Sequence, residues 1–335
     1  MEQLIKKLTE AYGPSGREEQ IREVIREEIS DLADEIRVDY LGNLIALKKG
    51  TTSGKKKPIM LAAHMDEIGL MITHIEEKGF LRFTGVGGIA PSRLTGARMM
   101  LPSGRKGLIY HEPLKDSSKL TLEKMYLDIG VETEEEAREF VTIGDIAVAD
   151  EPFIALGNRF LAKALDDRIG CAILILVLQQ MEKTSRDLYF VFTSQEEVGM
   201  RGARTSAFGI DPGLGLAVDV TMAGDTPEVK KMDVKLGAGA AIKVKDSSLI
   251  TSPLIRDKMV EIAENEKIPY QLEVLPRGGT DAGGISLTRE GVLAGCVSIP
   301  CRYVHSPGEM VDRRDVEGAV KLLEKMLQQD LEFPG

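Results

Sequence analysis

AKALDDRIGCAILILVLQQMEKTSRDLYFVFT, residues 162–193, predicts a helix opening at Asp166-Asp167 and running to about Met181, then a strand over Leu188–Thr193. The run AILILVL after Cys171 is the longest apolar run in the chain, and Cys171 beside it reads as core packing. The run is far short of the about 20 residues needed to cross a bilayer. The alternation continues downstream, with a strand over Leu214–Val218, a helix over 252–266, a strand over Leu293–Ile299 and an amphipathic helix over 315–331. Strands alternating with helices predict an α/β fold, a three-layer α/β/α sandwich around a mostly parallel sheet.

Working back toward the N-terminus, two helical patterns (Leu4 and Leu8; Ile21, Val24 and Ile25) are separated by the break Gly13-Pro14-Ser15-Gly16. Residues 36–47 alternate around a Gly42-Asn43 turn, and Pro58–Ala63 reads as a buried strand ending on His64-Met65-Asp66. Between Glu67 and Leu161 the texture changes to clustered glycines and short alternating runs, a β-rich module with one capping box at Thr133 and Glu136. The expected organisation is a discontinuous domain, 1–66 plus 162–335, interrupted by an insertion at 67–161. A chain of 335 residues exceeds the usual size of one core, in keeping with two units.

The composition, 43% hydrophobic and 29% charged, is that of a globular chain and gives no reason to expect extended disorder. A net charge of -10 repels phosphate backbones and anionic lipid, so neither nucleic acid nor membrane is an expected partner. Three cysteines without CxxC spacing predict no disulfide framework and fit a reducing, cytoplasmic setting. MEQLIKKLTEAYG has no continuous apolar core and does not read as a signal peptide.

Only four histidines are present, so their placement is informative. His64 and Asp66 follow one predicted strand, and Glu196 and Glu197 follow another. Asp219 closes a third, His305 lies just beyond a fourth, and Asp166 stands at a helix start. Ligands of open α/β sheets bind at the carboxyl ends of strands. Two imidazoles with three carboxylates form a mixed N/O donor set suited to zinc, cobalt or manganese. If one carboxylate bridges two ions about 3.5–4 Å apart, a water bound there is acidified enough to supply hydroxide near neutral pH. Glu196 is the natural general base, and Asp66 can orient the His64 imidazole. Each residue also fits a bland role taken singly. Asp166 and Asp167 could face a helix dipole, Glu196-Glu197 could be a solvated loop, and Asp219 could cap a turn. His74 and His111 are read as surface histidines.

HMDEIG (64–69), ALDDRIG (164–170), SQEEVGMRGA (194–203), AVDVT (217–221), GGTDAGG (278–284) and RYVHSPGEM (302–310) together closely resemble the M42 metallo-aminopeptidases, in order and over nearly the whole chain. The resemblance implies a zinc-peptidase-like sandwich with a PDZ-like dimerisation insertion, and two divalent metal ions per subunit, usually zinc or cobalt. It implies that His64 and Asp219 hold one ion, Glu197 and His305 the other, and that Asp166 bridges, often with a cis peptide after it. Glu196 is then the base and Asp66 the orienting carboxylate. Peptides are the implied substrates, cleaved at their N-terminal bond, and dimers assembling into a dodecamer are the implied homo-oligomer. The glycine-rich 278–284 loop implies pocket roles for Arg277 and Asp281. One departure is Cys301, where a small hydroxylic residue such as Thr is expected; a thiol so near His305 raises the possibility of oxidation at the site.

Two other functions were weighed. A glycoside hydrolase needs two carboxylates and no metal, and sugar platforms are usually aromatic; this chain has no tryptophan. A non-catalytic assembly protein on a degenerate peptidase fold would have lost ligands, yet all five positions and Glu196 are present.

Overall fold

The computed structural model of the protein describes residues 1–52, 56–182, 184–228 and 232–331. One 11-stranded sheet forms its centre, and its heart is four parallel neighbours: Leu188–Thr193, Ile59–His64, Leu214–Met222 and Leu293–Arg302, in that spatial order. The expected mostly parallel sheet is corrected to a mixed one: of its ten strand pairings among the described residues, four are parallel. The cause lies at the edges. Hairpins at Glu35–Val38/Leu44–Lys48 and Ile154–Leu156/Arg159–Ala162, and the return from Leu293–Arg302 into Glu309–Asp312, need only short connections, and those make antiparallel pairs.

The four central strands are buried along nearly their full length because helices cover both faces. Ile59, Leu61 and Ala63 pack with the helices Glu2–Glu10, Glu19–Ile29, Leu165–Gln180 and Arg313–Leu327. Met60 and Ala62, pointing the other way, meet Ala203 and Ala207 of the helix Arg201–Ile210 and Ile285 of the short helix Asp281–Ser286. The helix Leu165–Gln180 lies between the sheet and outer helices and is buried around most of its girth, in keeping with its unbroken apolar run.

Within residues 67–161, the strands Gly69–Ile75, Leu81–Val86, Arg98–Met100, Lys106–His111, Met125–Asp128 and Ile146–Ala149 close into a six-stranded barrel. It has its own core of Leu70, Ile72, Phe83, Ile109 and Leu127. The Thr133 hydroxyl accepts from the Glu136 N–H at 3.2 Å, the cap legible in the sequence, while the Glu136 carboxylate accepts from the N–H of Glu132, one residue before the cap. Residues 154–162 of the same segment leave the barrel and form the hairpin at the edge of the large sheet.

Candidate metal centre

Because the four central strands run parallel, their carboxyl ends open on one side of the sheet. Ile59–His64 delivers His64 there. The turn after Leu188–Thr193 carries Glu196 and Glu197, and the turn after Leu293–Arg302 carries His305. Asp219 projects from within Leu214–Met222, opposite Ser298, so this strand runs on past the point where the sequence pattern ends it. Asp166 enters from the edge hairpin. Ala164 has a left-handed backbone, and Asp166 and Asp167 are non-helical and joined by a cis peptide, so the regular helix starts one residue later. Left-handed φ values recur at Gln195 (56°), Tyr303 (63°) and His305 (59°). Non-glycine residues hold such conformations only where their surroundings over-determine them.

These residues converge on a cleft of about 330 Å³. His64 Nε2 stands 3.0 Å from Asp166 Oδ1, and His305 Nε2 stands 3.3 Å from Asp166 Oδ2 and 3.2 Å from Glu197 Oε2. Asp166 therefore reaches both imidazoles, one with each oxygen. Two groups have ligand atoms within 4.8 Å of one another: His64, Asp166 and Glu197, and His64, Asp167 and Asp219. Glu196 Oε2 lies 4.0 Å from His64 Nε2.

Among the described residues, the only groups at ion-pair distance from Asp166, Glu196 and Glu197 are the two histidines. The electrostatics follow from that. Burial, followed by the charges of Asp219, Asp281 and Glu197, holds the Glu196 carboxyl well above its ordinary range. Burial does the same for Asp219 and Asp167, reinforced by their acidic neighbours. Burial opposes charge on His305, yet its hydrogen bonds to Asp166 and Glu197 push it up to about 12. Carboxylates crowded without lysine or arginine must take up protons or bind cations. A buried imidazole, a second that is partly exposed, and several carboxylates with no lysine or arginine at ion-pair distance among the described residues are a donor set that fits divalent ions.

Asp66 is fully buried and serves more than His64. The His64 Nδ1 is 3.1 Å from the Asp66 backbone carbonyl and 3.5 Å from its carboxylate. The same carboxylate accepts from the Ser15 hydroxyl at 2.5 Å and from the backbone N–H groups of Glu196 at 2.9 Å and Glu197 at 3.2 Å. Asp167 accepts from the His64 N–H at 3.2 Å. Glu309 accepts from the Asp166 and His305 N–H groups, both at 2.8 Å. Sequence reasoning missed Ser15, which it took only for a helix break, and it gave Asp167 and Glu309 no function. For Asp167 and Glu309 the signal was present but indirect, since each lies inside a motif whose other members carry the chemistry, whereas Ser15 lies in none.

Arg277 lines the cleft, whereas Asp281 lies 2% exposed beneath it, accepting from the Thr193 hydroxyl. His74 is exposed on the barrel, and His111 stacks on Tyr110 there. Cys301 is fully buried in the main core, where burial drives its thiol well up. An enclosed, protonated thiol is inert, so the expectation of an oxidation-prone site is corrected.

Fold and cleft define an α/β protein with a candidate metal centre at the strand ends. The chain belongs to the M42 peptidase family: the family model for M42 glutamyl aminopeptidase matches residues 42–322. A relative from Acetivibrio thermocellus is 52% identical over 321 residues, 96% of each chain. An aminopeptidase from the archaeon Desulfurococcus kamchatkensis superposes with a TM-score of 0.94 at 42% identity, covering 98% of this chain and 94% of that one. The TET1 peptidase of Pyrococcus horikoshii, described as assembling into a tetrahedron or a large octahedral shell, superposes with a TM-score of 0.87 at 36% identity, covering 98% and 99%.

Proposed function

We propose that this chain is a two-metal aminopeptidase that removes N-terminal residues from peptides. The observation that carries the reading is the cluster of two imidazoles and several carboxylates, with no lysine or arginine at ion-pair distance among the described residues, at the carboxyl ends of parallel strands. In this reading His64 and Asp219 would hold one ion, Glu197 and His305 the other, and Asp166 would be the carboxylate shared between them. Zinc or cobalt suits these donors, and manganese is compatible with them. When bound, the ions acidify a water and polarise the scissile carbonyl.

The chain's own groups do the rest. Glu196 takes the proton from the attacking water and gives it to the departing amine. Asp66 orients His64 and, through two backbone N–H groups, the pair Glu196-Glu197. Unligated carboxylate capacity beside the metals is suited to a substrate's α-ammonium group, which would restrict cleavage to the first bond.

The remaining expectations belong to the same proposal: a cytoplasmic enzyme, a catalytic unit of 1–66 with 162–335, and a PDZ-like dimerisation insertion at 67–161. The barrel, with its own core, is compatible with the last of these. The shells described for the Pyrococcus horikoshii relative support a homo-oligomer, and dimers assembling into a dodecamer are the form proposed. Among the described residues no helix is long and apolar enough to cross a membrane. The test is hydrolysis of one peptide with a free and with an N-acetylated terminus, before and after EDTA. Cleavage of the free form alone, lost with EDTA and restored by cobalt, is the expected result. Cleavage of both forms, or indifference to EDTA, would refute the assignment.

A further inference from the structure

The turn carrying Glu196 hangs by its backbone from side chains elsewhere in the fold. Four consecutive N–H groups donate outward: Ser194 to Asn43 Oδ1 at 2.9 Å, Gln195 to Glu18 Oε1 at 3.1 Å, Glu196 to Asp66 Oδ1 at 2.9 Å and Glu197 to Asp66 Oδ2 at 3.2 Å. Asn43 and Asp66 are fully buried, and Glu18 is 3% exposed. On its other side the turn closes on itself, with the Glu196 carbonyl accepting from the N–H groups of Gly199 and Met200, both at 2.8 Å. Gln195 sits within this arrangement at a φ of 56°. A non-glycine residue keeps that conformation only while its neighbours enforce it.

Asn43 and Glu18 are the members of this clamp that no part of the chemistry above uses, and of the two only Glu18 is an acid. It comes from the N-terminal segment, just before the helix Glu19–Ile29. Its Oε1 accepts two backbone N–H groups, from Gly16 at 2.7 Å and from Gln195 at 3.1 Å, so a single oxygen ties the N-terminal turn to the catalytic turn. It has no lysine or arginine at ion-pair distance among the described residues, and the buried Asp66 carboxylate is close enough to act on it. Burying an unpaired carboxylate beside another is unfavourable. Packing gives no reason for an acid here, whereas two N–H groups aimed at one oxygen do.

We propose that Glu18 is a positioning residue for the general base: through the Gln195 N–H it fixes the turn from which Glu196 projects, making residues 13–18 part of the catalytic centre. This rests on the reading of Glu196 as the base. Three substitutions separate acceptor geometry from charge. Glu18→Gln keeps an oxygen able to accept both N–H groups, Glu18→Asp keeps the charge but retracts it by one methylene, and Glu18→Ala removes both. The test is steady-state kinetics of the metal-loaded protein on an aminoacyl p-nitroanilide, with bound metal per chain and melting temperature measured alongside. Displacing a catalytic group by about 1 Å costs on the order of 10²-fold, so kcat should fall by about that factor in Glu18→Ala and Glu18→Asp. KM should stay within about threefold, bound metal should be unchanged, and Glu18→Gln should keep kcat within about threefold of the parent.

Near-parental kcat in Glu18→Asp and Glu18→Ala overturns the proposal. So does a Glu18→Gln protein as impaired as Glu18→Ala, which would make charge and not acceptor geometry the cause. A raised KM at unchanged kcat would mean a binding role and also overturns it. Should Glu18→Ala not fold, the Asp and Gln variants decide the matter. Glu196→Gln is the control: if it turns over like the parent, the base reading fails and this proposal fails with it, whereas an inactive Glu196→Gln beside a fully active Glu18→Asp defeats only the proposal.

Discussion

In the large sheet, Ile59–His64 is buried at every position and ends on a side chain aimed into the cleft; in the barrel, Lys106–His111 buries only Ile109 and ends on a half-exposed histidine at the surface. A strand covered on both faces has few places for a polar side chain except its end. Four such strands run side by side, so their ends concentrate unusual residues in one spot. The barrel spreads its polar residues over an outer wall and collects no comparable cluster among the described residues. It still reaches the centre at one point. A Cβ on Gly88 would stand 2.9 Å from His305 Nδ1, and one on Gly87 would stand 3.3 Å from Glu197 Oε2. Arg93, from the same stretch, donates to the carbonyls of Val304 and His305.

The contrast can be broken at several points. The largest effect is expected from Glu196→Gln, which should lower kcat by roughly 10²–10⁴-fold while metal content stays unchanged. Near-normal kcat would remove the sandwich's claim to the chemistry. Next comes Gly88→Val, which puts branched carbons where the His305 ring sits. Disturbing the groups that orient a ligand typically costs roughly 10–100-fold in metal affinity, and a cobalt titration should register a loss of that size. Unchanged affinity would mean that the barrel merely abuts the centre. Smaller still for turnover is Ile109→Ala in the barrel core. Thermal unfolding should show a loss of about 2–5 kcal/mol, while kcat of the folded fraction holds. Cys301→Ser should make no difference to sensitivity toward peroxide, because the parent thiol is enclosed. Protection by that substitution would contradict the enclosure.

Much of this contrast is legible in the sequence, because it is a contrast of periodicity. Unbroken apolar runs at 59–63 and 188–193 mark strands covered on both sides, and the interrupted runs of 67–161 mark an exposed wall. The residues at the ends of those runs are therefore readable as candidates. The clamp at Glu18 and Asn43 was not, since it depends on side chains 177 and 151 positions away from the residues they hold, and no local pattern encodes such a distance. Nor was the mixed character of the sheet. The strands Ala240–Lys245 and Tyr270–Val274 do alternate apolar and polar residues, but strand direction is decided by how the chain returns, which alternation does not encode. Asp219 was placed at a strand end because the apolar run stops at Val218, but the ladder to Leu293–Arg302 extends that strand to Met222.

The central claim is that the cluster at the strand ends holds two ions and that turnover requires them. It is tested most directly by adding cobalt stepwise to the chelated protein while following hydrolysis of an aminoacyl p-nitroanilide. Activity should be absent at the start and reach its plateau as the second equivalent per chain binds. Full activity in the chelated protein, or a plateau that needs no more than one equivalent, would contradict it.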